Sequence, residues 1–377
     1  MAIRWLAVLP VLLIANLAFA GFANADSIVS PHSYTNTEAP FRTGSFPPRS
    51  RAMSIYSASE FVDVPDGGIF LTWFNLRPDM TMKAGDQIGF GNYKLVFSVT
   101  PIEPLDMSKT FDENFTEGVP REVVYATEWL AAANNRDPFD RVLWAFDYRT
   151  PLQKPFFYNP ANGNLLVEWY FEDPLANGRF DRSFADGGVE TQTTMWGNGL
   201  DAEIASIDFF TVVTEFIYAI PGDFDNDNVL GVTDIDILSD AIRSETDDSP
   251  LFDVNIDGSI DHNDHSHWVR DLKNTWFGDA NLDGEFNSGD LVSVFSAGKY
   301  GTGQPASWSE GDWDGSGEFN SGDLVAAFTD GGYDKGFKAA ATGVPEPSSC
   351  PIFIPILLGI AVRRMKTFQD EIRQGLI

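Results

Sequence analysis

Asp279-Ala-Asn281-Leu-Asp283-Gly284-Glu285-Phe286-Asn287-Ser-Gly-Asp290 carries oxygen-bearing side chains at positions 1, 3, 5 and 12. The same spacing occurs in three other segments. Upstream lie Asp223, Asp225, Asp227 and Asp234, then Asp253, Asn255, Asp257 and Asp264; downstream lie Asp312, Asp314, Ser316 and Asp323. Alternate residues of a tight loop point inward, so each segment presents a ring of hard oxygens. Position 6 must turn sharply. Gly258, Gly284 and Gly317 meet that demand, and Asn228 in the first segment is the next most tolerant of a left-handed backbone. Position 7 offers a backbone carbonyl, from Val229, Ser259, Glu285 and Glu318. This donor set suits Ca2+, which takes about 6–8 oxygens, and suits the strictly octahedral Mg2+ poorly. A solvated acidic run has no reason to keep one spacing four times. Ser316 puts a neutral hydroxyl at position 5, where the other three loops have a carboxylate, so the fourth loop is expected to bind most weakly.

Position 8 is apolar in every loop (Leu230, Ile260, Phe286, Phe319), which predicts loops packed back to back. A short apolar helix is expected after each, as in Ile235, Leu238 and Ile242, or Leu291, Val294 and Phe295. An EF-hand loop usually ends in Glu at position 12; here all four end in Asp. Loops closed by Asp, a helix after but none before, and Asn at position 9 (Asn287, Asn320) resemble the dockerin type I repeat. The resemblance implies small calcium-stabilised helical units, grouped here as two pairs at 221–274 and 275–338, and a cohesin-like protein as partner. Positions 10 and 11, commonly Ser-Thr in that family, are Val232-Thr233, His262-Asn263, Ser288-Gly289 and Ser321-Gly322. The fold therefore carries over better than the partner. His262, His265 and His267 cluster at the second loop and read as surface residues, with a transition-metal site as the rival.

Both ends of the chain read as addresses. Arg4, an apolar run from Leu6 to Phe22 and Ala23-Asn24-Ala25 make a secretory signal peptide over 1–25. Near the other end, Pro345-Glu346-Pro347, an apolar stretch from Cys350 to Val362 and Arg363-Arg364 follow one another. That stretch is shorter than the ~20 residues a spanning helix needs. The order resembles the PEP-CTERM sorting signal, over 339–377. It implies processing by an exosortase-type enzyme and a transient membrane anchor, with the protein exported to the cell surface or the extracellular space. The single cysteine, Cys350, rules out an intramolecular disulfide.

The formal charge of the 377 residues is −30, with 25 basic against 55 acidic side chains. Residues 221–343 hold 25 of the acidic and 6 of the basic ones, most of the excess. Phosphate neutralisation needs clustered Lys and Arg, so nucleic acid is excluded as a partner. Hydrophobic residues reach 43%, enough to build cores.

Residues 26–220 carry strand signals. Tyr93, Leu95, Phe97 and Val99 alternate with Lys94, Val96, Ser98 and Thr100, and Leu165, Val167, Trp169 and Phe171 with Leu166, Glu168, Tyr170 and Glu172. Phe210 to Tyr218 reads as one last long strand, and Ile69 to Phe74 and Val142 to Phe146 as further strands. A short helix is expected at Thr127–Ala133. Turn clusters at Pro65–Gly68 and Asn159–Gly163 separate the runs. The fold class expected is an all-β, jelly-roll-like sandwich followed by small α EF-hand or dockerin-like domains. Pro155 to Pro160, with Gly163 to Val167, resembles a segment of uncharacterised ectodomains bearing PEP-CTERM tails, which implies a fold but no activity.

No G-x-S-x-G elbow, H-E-x-x-H or phosphate loop is present. Glu168, Glu172 and Asp173 are the nearest approach to a glycosidase pair, and they read as the solvated face of a strand. Trp73, Trp144, Trp169 and Trp196 would stack on sugars if exposed, but aromatics at strand period are more often core. The sequence thus predicts an exported calcium-binding surface or matrix protein with a non-catalytic role. A polysaccharide-associated protein, docking to a cohesin-like partner or acting as a glycoside hydrolase, is the rival.

Overall fold

A period of two along Tyr93–Phe97 and Leu165–Phe171 gives each segment one apolar face, and burying those faces requires a second layer. The computed structural model describes residues 26–39, 47, 49–62, 64–135, 143–183, 191–244 and 249–338; the expected signal peptide and sorting tail lie outside them. Two antiparallel sheets form the sandwich. The strands are β1 (Asp26–Ser30), β2 (Ser50–Tyr56), β3 (Ile69–Leu76), β4 (Gln87–Thr100), β5 (Glu122–Ala132), β6 (Tyr148–Tyr158), β7 (Asn164–Ala176), β8 (Arg182–Ser183), β9 (Gln192–Asn198), β10 (Ile207–Val212) and β11 (Thr214–Ala219). One sheet runs β1-β11-β3-β6 and the other β5-β4-β7-β2-β9-β10-β8.

The core between them is aromatic. Phe74 meets Trp169 edge-on at 4.8 Å, Tyr56 meets Phe216 at 5.0 Å, and Phe97 meets Phe156 at 5.5 Å. A bulge between Leu71 and Trp73 resets the alternation of β3, so Phe74 follows Leu71 into the core. Trp144 and Trp169 are buried in this core, and Trp73 and Trp196 are half-buried, so none of the four forms an open platform.

Three expectations need correction. The helix expected at Thr127–Ala133 belongs to β5, which pairs with β4 from Gln87 to Phe97 and sends Trp129 into the core. Ladder bonding and burial outweigh the local helical preference there. Leu143 to Phe146 form no regular strand. Val142 lies outside the described residues, and just after Phe146 the Asp147 carboxylate accepts the Asn134 and Asn135 amides at 2.7 and 2.5 Å. The long final strand is two strands: the chain leaves the larger sheet after Val212 and enters the smaller one at Thr214. Val213 makes that corner, its amide bonded to the Asp181 carbonyl at 3.1 Å.

The outer face of the larger sheet is also partly covered. Met107 and Phe111, from the segment after β4, pack on Met53, Ile55, Leu166 and Met195. Glu168 lies on that face and is therefore buried rather than solvated. It takes a hydrogen bond from Arg51 Nε at 2.5 Å, while Arg51 also reaches the Ala202 carbonyl at 2.9 Å. Removing one partner of a buried pair leaves an uncompensated charge, at a cost of about 3–5 kcal/mol. Glu168→Leu alone should therefore lower the denaturant midpoint of the sandwich more than the double variant Arg51→Met/Glu168→Leu. Equal losses in equilibrium unfolding would contradict the pairing.

Candidate cation-binding loops

Beyond β11 the chain forms four loops, each followed by a helix: α1 (Val232–Ser244), α2 (His262–His267, continued by a wider turn over Trp268–Leu272), α3 (Ser288–Ser296) and α4 (Ser321–Asp330). Within the loops one hydrogen-bond pattern repeats. The position-12 carboxylate takes the position-9 amide in every loop, at 2.8 Å for Asp234, Asp264, Asp290 and Asp323 alike. Its other oxygen takes amides from positions 2 or 3, as from Phe224 at 2.7 Å and Trp313 at 2.8 Å. The position-1 carboxylate takes the position-6 amide: Asn228 to Asp223 at 3.0 Å, Gly258 to Asp253 at 2.9 Å, Gly284 to Asp279 at 2.8 Å and Gly317 to Asp312 at 2.9 Å. Position 3 (Asp225, Asn255, Asn281, Asp314) accepts the position-5 amide, and Asp227, Asp257 and Asp283 accept the position-7 amide. In the fourth loop Ser316 instead donates its hydroxyl to the Glu318 carbonyl at 3.4 Å.

In the first and fourth loops this brings side-chain oxygens from distant positions to one centre. Carboxylate oxygens of Asp223, Asp225 and Asp234 lie within 4.8 Å of one another, as do those of Asp312, Asp314 and Asp323. Two ligands on opposite sides of one hard cation are about 5 Å apart, twice a bond of about 2.3–2.6 Å, so this spacing fits such an ion. The second and third loops have the neutral amide of Asn255 and Asn281 at position 3.

Burial raises the pKa values of these groups. Desolvation pushes Asp223, Asp234, Asp264, Asp279 and Asp290 above the ordinary aspartate range despite the amides that oppose it. Asp312 is pushed up to about 7, by burial and by the charges of Asp323 and Asp314, and Asp323 moves in the same direction. Arg243 offers Asp312 partial compensation at 3.4 Å. A buried set of like charges without a counter-ion is costly, and a divalent cation removes that cost.

The four loops share one core. Phe286 and Phe319 pack on Trp313 at 5.7 and 5.9 Å, while Leu230 and Ile260 are half-buried against the same cluster. Trp308 Nε1 donates to the Asp279 carbonyl at 2.7 Å and Trp268 Nε1 to the Gly222 carbonyl at 2.8 Å. After α3 the chain returns to bond Gly301 to Phe319 at 2.9 Å, and after α4 it bonds Asp334 to Phe286 at 2.8 Å. The third and fourth loops thereby hold each other reciprocally. His265, expected at the surface, is buried here against Phe277 and Trp308, at 5.7 and 5.9 Å. Desolvation moves its pKa down to about 4, so the imidazole is neutral.

Two backbone requirements escape a reading by side-chain type. Position 4 is left-handed in every loop, at Asn226, Ile256, Leu282 and Gly315. Asn and Gly signal this in two loops, whereas Ile256 and Leu282 conceal it. The residue before position 1 is a left-handed glycine in three loops. At Gly278 and Gly311 a Cβ would lie 2.7 and 2.5 Å from the rings of Phe286 and Phe319. A scan against protein-family models and searches of curated proteins and solved structures found no match.

Gly311→Ala combines a left-handed backbone with overpacking of about 1–3 kcal/mol. Calorimetry should show the transition of the helical region falling by at least about 4 °C. An unshifted transition would contradict the close approach of Gly311 to Phe319.

Proposed function

We propose that this chain is an exported calcium-binding protein of the cell surface or extracellular matrix, with a non-catalytic binding or structural role. The observation that carries the reading is the convergence of carboxylate oxygens in the first and fourth loops, within a hydrogen-bond pattern that all four loops share, around carboxylates that burial leaves poorly stabilised. In this reading the loops are dockerin-like calcium repeats, the sandwich is the jelly-roll-like ectodomain, and the sorting tail engages an exosortase-type enzyme. The fit is to a hard cation: the converging groups of the first and fourth loops are all carboxylates, and no sulfur or imidazole belongs to either set.

The rival reading as a glycoside hydrolase lacks support at Glu168. That carboxylate is engaged by Arg51, and its Cα stands about 13 Å along β7 from that of Glu172, by strand rise. A cohesin-like partner rests on the family resemblance alone.

Isothermal titration of the full chain with Ca2+ tests the loops directly, with affinities of ~10⁻⁴ M or tighter expected. Asp253→Ala/Asp257→Ala should remove one calcium per molecule. An unchanged stoichiometry would contradict the ligand assignment. Chelation should lower the melting temperature of the region 221–338, so superimposable melting curves with and without calcium would oppose the reading.

The raised pKa values set a pH dependence. A carboxyl that binds its proton more tightly in the folded than in the unfolded chain favours folding at low pH, and that contribution is lost as pH rises through the folded value. The metal-free region should therefore gain stability as pH falls below about 7, where Asp312 takes up its proton. Calcium affinity at the fourth loop should move the other way, weakening as pH drops from 8 to 6. Calcium titrations at three pH values check this, and a pH-independent fourth-loop affinity would count against it.

A further inference from the structure

The outer face of the larger sheet carries a cavity separate from the cation-binding loops. Beyond the part covered by Met107 and Phe111, a cavity of about 390 Å³ opens over β5, β4 and β7, with Asn92, Lys94, Thr127, Tyr170, Glu172 and Leu200 among its lining residues. Strand register builds it. Ala126, Lys94, Tyr170 and Arg51 form one cross-strand row, and Asn92 faces Glu172 one step along. Lys94 Nζ lies 3.7 Å from the centre of the Tyr170 ring, and Arg51 lies 5.9 Å from it, so two cations lie close to the phenol ring. Arg49 holds Glu172 at 3.3 Å, and Asn92 Nδ2 reaches Asp173 at 3.3 Å.

Two local irregularities coincide with this cavity. β4 shifts register between Phe90 and Tyr93, and Asp173 holds a left-handed backbone at φ 52° within β7. Bulges and strained residues gather where a sheet must re-aim side chains toward a ligand. The result is a floor offering donors (the Lys94 ammonium, the Asn92 amide), acceptors (the Glu172 carboxylate), the Thr127 hydroxyl, which does both, and the Tyr170 hydroxyl, which bonds Glu168 and keeps acceptor capacity. Burial pushes the Tyr170 phenol up to about 12, so it keeps its proton at working pH. The local charges of Lys94 and Arg49 balance those of Glu172 and Asp173, while the chain as a whole carries −30. A polyanion gains nothing locally and is repelled overall. A neutral, polyhydroxylated ligand matches both the mixed donors and acceptors and the balanced charge.

We propose that this trough on the outer face of the sandwich is a binding site for a neutral sugar unit of an extracellular glycan, held by Lys94, Asn92, Glu172 and Tyr170. The proposal rests on reading the chain as a surface binding protein and deepens it by naming site and ligand class. The test titrates the full calcium-loaded chain with cellohexaose, mannohexaose and xylohexaose, and with hexagalacturonate as the acidic counterpart. At least one neutral hexasaccharide should bind. Glu172→Gln and Lys94→Met should each weaken that binding at least tenfold, while Leu105→Ser, on an exposed side chain outside the trough, should leave it unchanged. Melting curves of the variants distinguish a lost contact from a lost fold, and the two substitutions sit on different strands. Failure of all three neutral sugars, binding indifferent to both substitutions in folded protein, or tighter binding of hexagalacturonate would each overturn the assignment. Calcium stoichiometry on the same samples separates the two readings. Normal calcium uptake without sugar binding removes the trough alone, and sugar binding without calcium uptake removes the calcium repeats alone.

Discussion

The carboxylate at position 12 is the constraint on which the second half of this molecule depends. In each loop it takes the amide of position 9 on one oxygen and, on the other, an amide from position 2 or 3. One side chain thereby closes the loop and fixes the start of the following helix. In three loops position 9 adds its own side chain as helix cap, from Asp261, Asn287 and Asn320. These bonds gather negative charge where water is excluded, so local order and electrostatic cost arise from the same residues. A cation bound among these oxygens, as proposed, would offset that cost.

Packing makes the loops interdependent. Trp308 and Trp313 connect loops far apart in sequence, and Arg243 reaches from α1 to the fourth loop through the Gly315 carbonyl at 2.8 Å. An ion at one loop therefore bears on a core that all four share. The sandwich works on a different principle, with a core of interleaved aromatic rings.

The loops were legible because side-chain chemistry at fixed spacing is written directly in the sequence. Their backbone was less so: Ile256 and Leu282 adopt left-handed conformations that their residue types disguise, because the surrounding amide bonds impose them. In the sandwich, strands with clean alternation such as Leu165–Phe171 were readable. The corner at Val213 was not, since both flanking segments share one unbroken apolar pattern and only long-range pairing divides them. Glu168 and His265 misled for a related reason. Each is polar and was assigned to solvent, yet each is covered by a segment distant in sequence. The trough over Lys94 and Tyr170 depends on register among three strands, information that no single stretch contains.

Anomalous scattering from crystals of the full chain grown in calcium tests the central claim most directly. The account predicts difference peaks at the centres of the loops, each among the oxygens of positions 1, 3, 5 and 12, with the fourth-loop peak the weakest. Loops that keep their hydrogen bonds but show no peak in saturating calcium would contradict it.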